Sequence, residues 1–243
     1  MDSALLDACL ALFKEAFPED GEEFSRPLFE RFAPHLRVIA EDGRPLSMLF
    51  SIPYPIKTKE GTLPARYLYA VCTAKEARGR GLATELLKQE IATGAPLFLR
   101  PMQDSLFAFY EKAGFTPFSP YRESGGLSAT PLGDITITDS AAYGTVREAF
   151  LTPPYVAPIP PFLSLSDIFG GGVYREGEFA ALFVRDNDTV LFKEWLGDTT
   201  LAPHVAATLG ATHYRLRTYE KTGSPFGVCA NFKEDAKFLL ALD

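Results

Sequence analysis

Cysteine and histidine are scarce. The 243-residue chain has three of each, and neither set is spaced for metal chemistry. Cys9, Cys72 and Cys229 lie far apart with no CxxC pair, so neither a disulfide framework nor a zinc knuckle is expected. His35, His204 and His213 form no HExxH or other ligand spacing, and no Ser-His-Asp set is signalled. All three histidines read as structural or surface residues, and no metal is expected. A basic excess is lacking too. The 24 Lys and Arg against 31 Asp and Glu leave a net charge of −7, which argues against a nucleic-acid partner. No apolar run reaches the roughly 18–20 residues needed to cross a bilayer, so no membrane partner is expected. The apolar start MDSALLDACLALFKEAF has no basic segment before it and is broken by Asp2, Asp7 and Lys14. It reads as an amphipathic helix over 3–17 rather than a signal peptide, with Leu5, Leu6, Cys9, Leu12, Phe13 and Phe17 on one face. A cytoplasmic, reduced protein is the expectation.

What is present is core-forming material: 47% hydrophobic residues and 13% aromatics, enough for one large domain or two small ones. A second helix is expected near 21–33. Asp42-Gly43 joins two apolar runs as a hairpin turn. ARYLYAVCTA (65–74) reads as a strand with Tyr67, Tyr69 and Val71 on one side. A helix is expected from Leu82, a short strand over 95–101, and a helix over 104–115 capped by Asp104 and ended by Gly114. SPYRESGGLSATPLGD (119–134) is rich in Ser, Gly and Pro and reads as linker. The expected division is 1–120, a linker at 121–134, and a domain at 135–243. In that second part the order helix, hairpin, helix, strand echoes the first.

The stretch EARGRGLATELL (76–87) carries the chemistry. It places glycines and two arginines between a strand and a helix start. The first N–H groups of a helix lack intrahelical acceptors and carry partial positive charge. Glycines let that backbone approach an anion, and Arg78 and Arg80 can grip phosphate oxygens. The stretch is neither a P-loop, since GxxxxGK[ST] is absent, nor a dinucleotide fingerprint, since Thr84 stands at the third glycine position. Read alone, RGRG is also compatible with a solvated helix cap.

In context, YAVCTAKEARGRGLATELL resembles the cofactor motif of the GNAT acetyltransferase superfamily, Arg/Gln-x-x-Gly-x-Gly/Ala after a strand, here Arg78, Gly81 and Ala83. About thirty residues on stands FYEKAGF, Phe109 to Phe115, similar to the family's FYxKxGF pattern. The resemblance covers roughly 1–118. It implies an α/β fold with a GNAT-type mixed central sheet flanked by helices, followed here by a smaller α+β domain that is read as a degenerate GNAT-like half. It implies acetyl-coenzyme A as cosubstrate, lying between two splayed strands. Val71, Cys72 and Thr73 would align the pantetheine arm, and Arg78, Gly79, Arg80, Gly81, Leu82 and Ala83 would hold the pyrophosphate. Tyr110 would be the general acid at the cofactor sulfur. The implied acceptor is an amine of a small molecule or peptide. A non-catalytic coenzyme-A-binding regulator and a transferase of longer acyl groups are the alternatives. A weaker similarity links the chain to the enhanced-intracellular-survival type of acetyltransferase, which carries a second, degenerate GNAT domain and then a sterol-carrier-like domain. This chain is too short for the third, and its second half has no copy of the cofactor motif. Glu41, Glu85, Glu111 and the terminal Asp243 all stand as conceivable general bases. Cys72 reads as a small buried residue rather than a nucleophile.

Overall fold

The computed structural model describes residues 3–241. Two compact units of similar size divide the chain. Unit one takes the chain up to Pro55, then Leu63–Phe118 and Gly227–Glu234. Unit two takes Ile56–Thr62, Ser119–Phe226 and the chain from Asp235 on.

Unit one begins with α1 (Ser3–Ala16), which buries Cys9, Leu12 and Phe13, and α2 (Glu22–Phe32), which buries Phe24, Leu28, Phe29 and Phe32. Both faces recur at helical spacing. Strands β1 (Leu36–Glu41) and β2 (Arg44–Pro53) form the expected hairpin. Asp42 and Gly43 take φ of 49° and 76°, the left-handed pair that a two-residue hairpin turn requires. The chain then leaves for unit two, in the short hairpin β3 (Ile56–Thr58) and β4 (Gly61–Leu63), and returns with β5 (Arg66–Thr73). Strand β2 is buried along nearly its whole length and pairs antiparallel with β5. Helix α3 (Leu82–Ile91) crosses to β6 (Leu97–Leu99), which pairs parallel with β5. Helix α4 (Phe107–Ala113) ends at Gly114, whose φ is 107°. The strand order in this unit is β1-β2-β5-β6, with the last strand, β14 (Ser224–Ala230), beside β6.

Two sequence expectations fail locally. Asp104 opens a 3-10 turn, Asp104–Leu106, and neither it nor α4 has a side-chain cap. The strict alternation expected of β5 stops at Ala70, whose φ is 54°. The ladder with β2 slips there, from Phe50↔Tyr69 to Met48↔Cys72. The extra residue is a β-bulge, and it takes Val71 out of line with Tyr67 and Tyr69.

Strand β7 (Thr116–Leu127) enters the expected linker. Tyr121 to Leu127 pair with β13 (His213–Tyr219). A Ser- and Gly-rich run reads as linker only until a partner some ninety residues away takes up its backbone hydrogen bonds. Unit two continues with β8 (Thr136–Thr138) and α5 (Ser140–Val146), whose N-cap Asp139 accepts from the Ala142 N–H. Next come β9 (Tyr155–Val156), α6 (Pro160–Leu163), β10 (Gly170–Arg175), β11 (Phe179–Asp186), β12 (Thr189–Gly197) and α7 (Ala202–Thr208). The strand order is β7-β13-β12-β11-β10-β8. The chemistry of the core is mixed. Phe179 stacks on Trp195 with centroids 4.8 Å apart. Arg147 and Glu194, each 1% exposed, pair through two hydrogen bonds of 2.7 and 2.8 Å. Tyr143 donates to the same carboxylate, and Arg147 also donates to the Val156 carbonyl. Every strong polar group of that cluster is satisfied, the condition under which a buried ion pair is tolerated.

Unit two repeats the plan of unit one. Helices α5 and α6 precede three antiparallel strands, β10 to β12. Helix α7 then crosses to a parallel strand, β13. Even the bulge recurs: the β11–β12 ladder slips between Leu182 and Phe183.

Candidate functional site

The candidate site lies in unit one, where β5, the following turn and α3 meet. Strands β5 and β6 pair only through Arg66↔Leu97 and Tyr67↔Phe98, although β5 runs on to Thr73. From Ala70 to Thr73 the strand has no ladder partner on its β6 side among the described residues. Its other edge is held by β2, and the bulged end is pinned by Ser47, which is fully buried. The Ser47 hydroxyl donates to the Cys72 carbonyl at 3.0 Å and lies 3.0 Å from the Thr73 hydroxyl. Val71, Cys72 and Thr73 thus form a rigid strand end with one open edge, able to pair with an extended amide-bearing ligand.

After Thr73 the chain makes a 3-10 turn, Lys75–Ala77. It then passes Arg78, Gly79, Arg80 and Gly81, all exposed, before α3 begins. Gly79 and Gly81 both have φ of 79°, and a Cβ at either would meet nothing within 4 Å. Their left-handed backbone favours glycine, and the space above them is open. Gly81 is the N-cap of α3, with no side-chain cap. Its carbonyl accepts the Glu85 N–H at 3.0 Å. The N–H groups of Leu82, Ala83 and Thr84 therefore point outward without intrahelical acceptors. Free N–H groups at a helix start beside glycines are the kind of backbone that binds phosphate. The Arg78 Nε donates to the Thr73 carbonyl at 3.3 Å, and Arg80 pairs with Glu41.

Tyr110 sits on α4, 6% exposed. Its ring meets Phe109 and Phe115 edge-on, with centroids 5.1 and 6.0 Å away. Burial pushes its hydroxyl above the ordinary tyrosine range, so it stays protonated. The hydroxyl makes no hydrogen bond among the described residues, and none joins it to β5. Burial likewise pushes the Cys72 thiol up to about 12, so it is not a thiolate near neutral pH. All three cysteines are free and buried. Of the base candidates, Glu41 is engaged with Arg80, Glu85 and Glu111 are exposed, and Asp243 lies outside the described residues. Among the described residues, no group of three or more His, Cys, Asp and Glu is placed to hold a metal ion, and no helix is long and apolar enough to cross a membrane.

Sequence reading missed Ser47, which carries no motif and whose role depends on the register between β2 and β5. It named Glu41 as a candidate base but not as the partner of Arg80, to which the β1–β2 hairpin brings it.

The equivalent turn in unit two is built differently. Strand β12 pairs with β13 over Thr189–Phe192, and the turn before α7 carries Asp198. The Asp198 carboxylate accepts from the Thr200 N–H at 2.9 Å and the Thr200 hydroxyl at 2.7 Å. A Cβ on Gly197 would meet the Glu178 carbonyl oxygen at 2.1 Å. That turn is crowded, and it carries its own anion.

A family model described as Acetyltransferase (GNAT) domain matches residues 1–118. A solved structure from Enterococcus faecalis V583, titled a probable N-acyltransferase, is 14% identical with a TM-score of 0.70, covering 94% of this chain and 70% of its own. A tandem GNAT protein from the clavulanic acid biosynthesis pathway is 13% identical with a TM-score of 0.51, covering 96% and 97%. Eis1 from Mycobacterium abscessus is 12% identical with a TM-score of 0.52, covering 79% of this chain and 56% of its own. No match was found among the curated proteins. The match over residues 1–118 is to a GNAT acetyltransferase domain, and the likeness to the solved structures is one of fold. The chain carries its GNAT acetyltransferase domain in residues 1–118, within a mixed α/β fold like that of the tandem GNAT protein.

Proposed function

We propose that the protein is an N-acetyltransferase that uses acetyl-coenzyme A and acetylates an amine of a small molecule or peptide by direct attack. The observation that carries this reading is the parting of β5 from β6 after two paired residues, which leaves an open strand edge leading into the glycine turn. Acetyl-coenzyme A supplies the acetyl group as an activated thioester. In this reading Val71 to Thr73 align the pantetheine arm through backbone hydrogen bonds. The N–H groups of Leu82, Ala83 and Thr84, with Arg78 and Arg80, hold the diphosphate. Tyr110, protonated and without a hydrogen-bond partner, gives its proton to the departing thiolate. The amine must be neutral to attack, which at pH 7 costs about 4–5 kcal/mol for an alkyl amine of ordinary pKa. Thiol release from acetyl-coenzyme A across an amine panel tests the reading. No turnover alongside tight coenzyme A binding would favour a non-catalytic binding protein instead.

The reading assigns one cofactor site per chain. In unit two the turn before α7 carries the Asp198 carboxylate, which already accepts the Thr200 N–H and hydroxyl and would repel a diphosphate. Titration calorimetry is expected to give one coenzyme A per chain, and a stoichiometry of two would overturn the assignment.

A further inference from the structure

Every charged side chain of the 75–80 turn has a protein partner. Lys75 pairs with Glu15 at 3.4 Å, Glu76 pairs with Arg44, Arg78 donates to the Thr73 carbonyl, and Arg80 pairs with Glu41. Two of these ties, at Glu76 and Arg80, come from the β1–β2 hairpin, Arg44 and Glu41 flanking its turn. They differ in what a bound phosphate would do to them. Lys75 and Glu76 precede the glycines, and Arg78 gives its Nε to a neutral carbonyl. Arg80 stands between Gly79 and Gly81, immediately before the outward N–H groups of α3, and its partner is a carboxylate. Neither group is buried: the side chains are 47% and 58% exposed. The Arg80 hydrogen bond holds the Glu41 carboxyl below its ordinary range. The pair is weak enough to exchange, since exposed pairs contribute only about 0–1 kcal/mol.

We propose that Glu41 is an internal rival of the cofactor's phosphates for Arg80, so that cofactor binding releases the hairpin carboxylate from the turn. The inference rests on the turn being the coenzyme A site. It makes Glu41 a residue that limits cofactor affinity, rather than a general base. The rivalry also couples cofactor loading to the β1–β2 hairpin, because Arg80 cannot serve a carboxylate and a phosphate equally well.

The test is calorimetry with coenzyme A, dephospho-coenzyme A and pantetheine on the full chain at low salt. Glu41→Gln keeps the side chain's shape and removes its charge. It is expected to bind coenzyme A about three- to fivefold more tightly than the parent, the scale of an exposed ion pair. Salt near 0.5 M should erase the gain by screening, and pantetheine, which lacks the phosphates, should show none. Tightening with dephospho-coenzyme A as well assigns the rivalry to the diphosphate. Tightening with coenzyme A alone assigns it to the 3′-phosphate. In the double-mutant cycle, Glu41→Gln/Arg80→Ala should bind like Arg80→Ala. Unchanged coenzyme A affinity in Glu41→Gln overturns the proposal, as does equal tightening of pantetheine or a gain that survives Arg80→Ala. A parent protein that binds no coenzyme A at all overturns the site reading itself.

Discussion

Replacing Tyr110 with phenylalanine is expected to lower turnover of an accepted amine about 10²–10⁴-fold, the usual contribution of a positioned general acid. The substitution keeps the ring and its edge-on contacts with Phe109 and Phe115. It removes one hydroxyl that makes no hydrogen bond among the described residues, so no polar partner is orphaned and the melting temperature should hold. The KM for acetyl-coenzyme A should move little, because the diphosphate cradle is on a different element. A fall in kcat with an unchanged KM separates a chemical role from a packing role. If Tyr110→Phe turns over like the parent, the side chain is a core aromatic and the proton comes from elsewhere.

Gly81→Val should abolish the stabilisation of the protein by coenzyme A. At ligand 100-fold above its Kd, mass action stabilises the folded parent by about 2.7 kcal/mol. For a chain of this size that is a rise in melting temperature of roughly 5–10 °C. Valine at position 81 acts in two ways. Its branched side chain enters open space, where a Cβ meets no protein atom within 4 Å, at the residue that leads into α3. It is also strained at a φ of 79°, so the turn shifts. Gly94→Val is the control. Gly94 has φ of 74° with nothing within 4 Å of its Cβ, but it follows the far end of α3. It carries the same backbone strain away from the site and should keep the full ligand shift. A full shift in Gly81→Val would remove the turn from the cofactor site.

The elements that sequence reading placed well are those whose signal is local. The apolar face of α1, the Asp42-Gly43 turn and the stop at Gly114 each follow from side-chain periodicity or from a φ that a few residues tolerate. The glycine turn proposed to hold the cofactor is local in the same way: Arg78 to Ala83 are contiguous, so the chain alone sets their spacing. What was lost lay in pairing at a distance. Residues 121–127 read as linker because nothing local shows that β13 completes their hydrogen bonds. The segment Gly227–Glu234 carries no motif, yet β14 pairs with β6 from the far end of the chain.

By itself the sequence determined which groups stand together: two arginines and two glycines before a helix start, a tyrosine in FYEKAGF, and cysteines and histidines far apart. The tertiary structure decided how those groups are presented. The bulge at Ala70 and the parting of β5 from β6 depend on strand register, which is set by packing on both faces of β2 and not by any one segment. The second unit makes the same point. Its repeat of unit one shows in the sequence only as an echo in the order of elements, and is plain in the direction and bulge of its strands, because many sequences satisfy the same pattern of burial and hydrogen bonding. Its Asp198 shows the limit of that equivalence. The backbone plan survives there, but the turn before α7 carries a carboxylate where the turn before α3 carries two arginines and two left-handed glycines.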